Sequence, residues 1–134
     1  IRDSLKIIVG SVTAVVLEGF QQDCCHLEVS QVQDFRLKAA AYAEKQLPKE
    51  ACGLVVAGLF IPCQNIATNP QEDFVLNPVD YARSALTGKI EAIVHSHPQG
   101  GPASEADLAA CNYTRLPWHI YSMPDRQWLI INPC

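Results

Sequence analysis

The spacing of apolar and polar positions changes character near residue 30 and then becomes a regular succession of elements. Residues 30–48, SQVQDFRLKAAAYAEKQLP, place apolar side chains near helical spacing at Val32, Phe35, Ala39, Tyr42, Ala43 and Leu47. With Ser30 as a cap and Pro48 as a stop, this stretch predicts a helix. CGLVVAG and FIPCQNIAT follow as short apolar runs on either side of Gly58, the pattern of a hairpin, and DFVLN reads as a short strand. PVDYARSALTG predicts a second helix, with Asn77 as its cap, Pro78 in the first position and Gly88 closing it. KIEAIVHSH is then a strand and SEADLAACNYT a helix, while WHIYSM and WLIIN, joined by the turn PDRQ, form a last hairpin. Strands interleaved with helices predict an α/β fold, a single-domain sandwich over residues 30–134 in which helices flank a mixed β-sheet. Residues 1–29 read as a separate β-type extension, because 7–9 and 12–17 are rich in β-branched residues and are split by Gly10 and Ser11.

Composition narrows the function classes. The chain has 134 residues, 49% hydrophobic and 18% charged, enough for one domain with a real core. A formal charge of -4, with only 10 scattered Lys and Arg, argues against nucleic acid as a partner. The longest apolar run, residues 5–17, is shorter than the roughly 20 residues that a bilayer span needs. No Ala-x-Ala pattern follows it closely, so a signal peptide is not expected either. Six cysteines lie at 24, 25, 52, 63, 111 and 134 without any Cys-x-x-Cys, which removes zinc ribbons and thioredoxin-type sites. Apolar surroundings such as EACGLVV favour buried free thiols and a reducing compartment. Cys52 is accordingly expected to be a core thiol rather than a nucleophile, since apolar neighbours raise a thiol's pKa.

The stretch EAIVHSHPQGGPASEADLAACN, residues 91–112, carries the candidate chemistry. His95 and His97 stand two apart at a strand end, so both imidazoles leave the same face while Ser96 points the other way. Ser104 and Asp107, three apart, share a face of the following helix, and Gly100 and Gly101 permit a tight return toward the histidines. Two imidazoles and one carboxylate, with a fourth position open, make the usual catalytic zinc set. SEAD at a helix start is equally a capping signature, with Ser104 as cap and Asp107 at the third position, and Ser104 can serve in both capacities. Hydrolysis at such a site needs a base, and Glu50 in LPKEACGLVV, between the long helix and a core strand, is the candidate. The alternative for Glu50 is an ordinary solvated acid beside Lys49.

These residues closely resemble the JAMM zinc metalloproteases, also called MPN+ or JAB. That family's pattern is a glutamate, a long gap, His-x-His-Pro, a loop and Ser-x-x-Asp. Here it is matched by Glu50, HSHP at 95–98 and SEAD at 104–107, and the resemblance covers residues 31–133. It implies a sandwich related to that of the cytidine deaminases, with His95, His97 and Asp107 as zinc ligands and a water as the fourth. It further implies Glu50 as general base and later acid, and Ser104 as the donor to the oxyanion. The six residues between His97 and Ser104 are one fewer than in the familiar deubiquitinating members, and the long segments that grip ubiquitin have no room here.

The wording around the motif is most similar to the JAB domain of tail-assembly proteins from long-tailed phages. This implies a zinc-dependent peptidase or isopeptidase acting in tail assembly or at the tail tip. Its substrate would be a protein or peptide, its partners phage tail proteins, and its location the virion tail or the host cytoplasm. The rival reading is a non-catalytic assembly adaptor that keeps an intact zinc site. Zinc deaminases need His-x-Glu and Pro-Cys-x-x-Cys, which are missing. A two-His-one-carboxylate iron oxygenase would sit on a β-barrel, which so many helices oppose. His26 is expected at the surface, His119 in a strand, and Trp118 and Trp128 in or near the last hairpin.

Overall fold

A computed structural model describes the backbone from Val29 to Cys134 and side chains from Phe35 onward. The β-type stretch, Cys24, Cys25, His26 and the side chain of Val32 lie outside these described residues, apart from Val29, which opens a helix.

Helix α1 (Val29–Gln46) ends two residues before Pro48, whose ring cannot continue it. It includes Ser30, so this serine lies inside the helix and not ahead of it as a cap. Phe35, Ala39 and Ala43 form the buried stripe expected from their spacing. Leu47, expected in that stripe, falls beyond the helix end and is exposed.

Strands β1 (Cys52–Val56) and β2 (Leu59–Cys63) form the predicted hairpin. Its two turn residues, Ala57 and Gly58, both have positive φ (54° and 78°), the twist that matches paired antiparallel strands. Gly53 of β1 is required by contact: a Cβ there would lie 2.5 Å from the Ile61 carbonyl oxygen and from the Phe60 ring. Its absence lets that ring fold over the hairpin toward Tyr42.

DFVLN does not form a strand. Its backbone makes one isolated bridge, Asn65 to Leu76, because side chains take up its amides. Asp73 Oδ1 accepts the Phe74 N–H and Asn65 Oδ1 accepts the Val75 N–H. Phe74 and Leu76 are nevertheless fully buried, so the apolar pattern reported burial correctly and ladder pairing wrongly.

Helix α2 (Pro78–Thr87) begins as predicted, with Asn77 Oδ1 accepting the N–H groups of Val79 and Asp80. Gly88 closes it in an extended conformation. Strand β3 (Ile90–His97), helix α3 (Glu105–Thr114) and strand β4 (Trp118–Ser122) form a β–α–β unit whose strands are parallel. Strand β5 (Gln127–Ile131) turns back antiparallel beside β4. The sheet order is β2-β1-β3-β4-β5, a mixed sheet of five strands. The expected α/β sandwich is therefore the observed one.

Strand β3 is central and covered on both faces, with Ala92 through Ser96 all buried. On one face Val55, Ala92 and Val94 pack against Phe35 and Ala39 of α1. On the other, Leu54, Ile93 and Trp118 pack with Phe74, Leu76, Ala110 and Cys111. Burying large apolar side chains at about 25 cal/mol per Å² on both faces fixes β3, and with it the two histidines at its end. Among the described residues no helix is long and apolar enough to cross a membrane.

Candidate metal centre

His95 and His97 leave β3 on the face away from α1, and alternation sends Ser96 to the other side. The Ser96 hydroxyl accepts the Ala51 N–H at 2.8 Å, and its own N–H donates to the Ala51 carbonyl at 3.0 Å. That double bond to the chain just before β1 carries Glu50 up to the histidines. Glu50 is buried rather than solvated, and its Oε1 lies 3.5 Å from His95 Nδ1.

The loop after β3 turns sharply around one carbonyl. The His97 oxygen accepts both the Gly100 and the Met123 N–H groups, each at 3.0 Å. Gly100 has φ +82°, and a Cβ on it would come within 2.9 Å of the Met123 carbonyl oxygen, so the turn needs glycine. It delivers Ser104 to the head of α3.

There the capping box forms in full. Ser104 Oγ accepts the Asp107 N–H at 3.0 Å, and Asp107 Oδ2 accepts the Ser104 N–H at 3.0 Å. The same carboxylate reaches both histidines. Its Oδ2 lies 3.0 Å from His97 Nε2 and its Oδ1 3.2 Å from His95 Nε2. The cap reading of SEAD therefore holds, and the helix start aims the carboxylate at both histidines, an arrangement compatible with the metal reading.

His95 sits in an aromatic cage. Phe74 stacks on it with ring centroids 4.5 Å apart, and Trp118 meets it edge-on at 5.4 Å. Trp118 is held in turn by donating from its indole N–H to Thr114 Oγ1 at 3.0 Å. Burial opposes a charge on His95, but the Asp107 and Glu50 carboxylates outweigh it and raise its pKa to about 9. Burial also opposes charge on Asp107. The two histidines and the Ser104 amide override this and hold its carboxyl far below the usual range.

A family model described as prokaryotic homologs of the JAB domain matches residues 32–131. The chain belongs to this family. It is also similar to the tail tip assembly protein K of Escherichia phage N15, with 42% identity over 98 residues, covering 69% of this chain and 40% of that protein. The chain thus spans less than half the length of that relative. A solution structure of a Desulfitobacterium hafniense protein superposes with a TM-score of 0.59, at 22% identity over 74% of this chain and 78% of the other. That likeness concerns the fold.

In this JAB domain, one ligand atom from each of His95, His97 and Asp107 lies within 4.8 Å of the others, a group able to hold a metal ion. The donor set fits a small divalent cation. Both ring nitrogens of His95 and Oε1 of Glu50 are buried, and their close neighbours are each other and Asp107, in ion-pair contact with no well-aligned hydrogen bond. An imidazole held between two carboxylates at 3.2 and 3.5 Å in a buried site gathers the donor atoms that a cation would use. Two imidazoles and a carboxylate are the borderline-to-hard donors that zinc accepts. His95 and Asp107 form the buried floor, His97 is partly exposed and Ser104 is at the surface, so the centre opens along its His97 and Ser104 side.

All five predicted residues lie in this region, and three further residues adjoin them whose contacts the sequence did not reveal: Ser96, Phe74 and Asn65. Ser96 carried a weak signal, a hydroxyl pointing into the apolar face opposite two histidines. Phe74 was hidden inside an apparent strand. Asn65 gave no signal beyond an asparagine near a strand end.

The other titratable groups have structural settings. Cys52, Cys63 and Cys111 are buried free thiols, as expected, and Cys134 is exposed and free. Burial pushes Cys63 and Cys111 up to about 12 and Cys52 well above its ordinary value, which disfavours the thiolate at all three. His119 lies in β4 and is buried on the α1 face, with Nδ1 3.2 Å from Arg36 Nη2.

Proposed function

We propose that this JAB domain is a zinc-dependent peptidase or isopeptidase that acts in phage tail assembly or at the tail tip. His95, His97 and Asp107 would hold the ion, which when bound supplies Lewis acidity and an acidified water. Glu50 then takes the proton from the attacking water and returns it to the departing amine. Its position supports this, since it is buried beside the candidate ligands with Oε1 3.5 Å from His95, within reach of a water held there. Ser104 donates its hydroxyl hydrogen to the oxyanion. Its oxygen already accepts the Asp107 N–H, which fixes the rotor and leaves the hydrogen for an incoming acceptor.

The observation that carries the reading is the Glu50 carboxylate. It is buried, lies 3.5 Å from His95 Nδ1, and stands beside the three candidate ligands without being one of them. In a domain that only clamps a metal this carboxylate would do no more than orient His95, a task that Glu50→Gln leaves to the amide oxygen, so loss of cleavage with zinc retained separates the two readings. The name of the phage N15 relative supports tail-tip assembly as the setting, with tail proteins or their precursors as substrates and partners.

Glu50→Gln tests it. Wild type and variant should each bind about one zinc per chain by elemental analysis, and only wild type should cleave a peptide library. Equal zinc content with no cleavage by either protein would favour the rival, an assembly adaptor with a structural metal.

A further inference from the structure

Asn65 lies outside the ligand set, yet its side chain ties together the two groups that flank His95. Its Nδ2 donates to the Glu50 carbonyl at 2.9 Å and to the Asp73 carbonyl at 3.0 Å, with the Pro70 carbonyl farther off at 3.4 Å. Its Oδ1 accepts the N–H groups of Ala67 at 3.0 Å and Val75 at 3.1 Å. One carboxamide thereby joins the segment that presents Glu50 to the arm that presents Phe74. A second tie runs alongside, because the Glu50 N–H donates to the Pro70 carbonyl at 2.7 Å.

Both joined groups act on the same imidazole. Glu50 Oε1 faces its Nδ1 at 3.5 Å, and the Phe74 ring lies against its face at 4.5 Å and an interplanar angle of 26°. The carboxylate thus faces one ring nitrogen and the phenyl ring covers one ring face. Only an amide side chain suits the task, since it combines two donor hydrogens with an acceptor oxygen.

We propose that Asn65 is a positioning residue, whose carboxamide sets the Glu50 carboxylate and the Phe74 ring against His95 and so fixes the imidazole for metal binding. The metal part of this inference rests on the reading of His95, His97 and Asp107 given above. The rival is a purely structural role, in which Asn65 closes the 66–75 loop and nothing more. The two roles differ in their effect on His95, because a structural brace changes stability without changing the ring.

The test compares Asn65→Ala and Asn65→Asp with Phe35→Leu, a destabilising change on the opposite face of the sheet. Asn65→Asp keeps the acceptor oxygen for Ala67 and Val75 but turns a charged oxygen toward the Glu50 and Asp73 carbonyls, so the two variants break the tie by different means and a change that both share is not an effect of the added charge. Zinc affinity is read by competition with a chromophoric chelator, and the cobalt(II)-loaded absorption spectrum reports the ligand field. The His95 ring resonances are followed by NMR in metal-free protein. Both Asn65 variants should weaken zinc binding about tenfold, the scale of outer-shell support, alter the cobalt spectrum and move the His95 resonances. Phe35→Leu should lower the melting temperature and leave all three readouts as in wild type.

Asn65 variants that melt earlier but keep wild-type zinc affinity and His95 resonances would overturn the proposal. Should wild type take up no zinc, the metal reading fails by itself. The His95 resonances of the metal-free variants then still decide whether Asn65 positions the ring.

Discussion

Two buried histidines on opposite faces of the sheet show how a partner sets the use of a side chain. His95 and His119 are both largely shielded from solvent, and both pack against aromatic rings, Phe74 and Trp118 for the first and Phe35 for the second. Burial pushes each toward the neutral form. His95 faces two carboxylates that reverse the effect and bring it to about 9. His119 faces Arg36, whose charge adds to the effect of burial and brings it to about 3. Arg36 itself lies over the Trp128 ring at 4.9 Å, so that cluster is a packing arrangement between α1 and the last hairpin. Of two histidines that are similar by residue type and burial, one is a metal ligand candidate and the other a core residue.

The comparison breaks most visibly at Asp107. Asp107→Ala should lower zinc content from about one ion per chain to none, as should His97→Ala, whereas His119→Gln should leave it unchanged. Elemental analysis of the purified proteins checks this, and zinc retained without Asp107 would refute the proposed ligand set. Next in size is Phe74→Ala, which removes a fully buried ring and should cost about 3–5 kcal/mol in urea denaturation. It should also loosen His95, a consequence that an equally costly core change on the α1 face would not share.

The pH dependence of stability sharpens the contrast from the other side. The folded pKa of His119 is lowered from 6.5 to about 3, so between these values the unfolded chain binds more protons. Its stabilising contribution is therefore present above pH 6.5 and lost as the pH falls toward 3. At pH 4 the loss is about 3 kcal/mol. His119→Gln should flatten the acid limb of a stability–pH curve between pH 6.5 and 4, and an unchanged limb would show that Arg36 and burial do not perturb this ring.

Much of this was legible because local rules act on contiguous residues. Alternation fixed the shared face of His95 and His97, and the spacing of Ser104 and Asp107 fixed the capping box and with it the aim of the carboxylate. Glu50 was legible as a candidate from its place before a core strand, and the resemblance favoured it, but nothing local separates a buried base from a solvated acid. What decides it is the bond from Ala51 to Ser96 across 45 residues, a matter of tertiary register. The false strand at DFVLN has the same origin. Its apolar residues are buried as their pattern indicates, but Asn65 and Asp73 side chains take the amides that a ladder would have used. Leu47 failed for a simpler reason, since the helical period stops where the helix does.

The smallest expected effect separates the two helix caps. Ser104 and Asn77 both accept N–H groups at a helix start, and loss of either to alanine should cost about 1 kcal/mol. Both variants should therefore show similarly lowered urea midpoints. Ser104→Ala should still bind zinc, because Asp107 Oδ2 keeps its bond from the Ser104 backbone N–H and so keeps its aim. Its cleavage rate should nonetheless fall, by roughly a hundredfold if the hydroxyl stabilises the oxyanion, while Asn77→Ala cleaves as wild type does. A Ser104→Ala protein that loses stability alone would reduce this serine to a cap, and would shift the oxyanion role to another donor along the open side of the site.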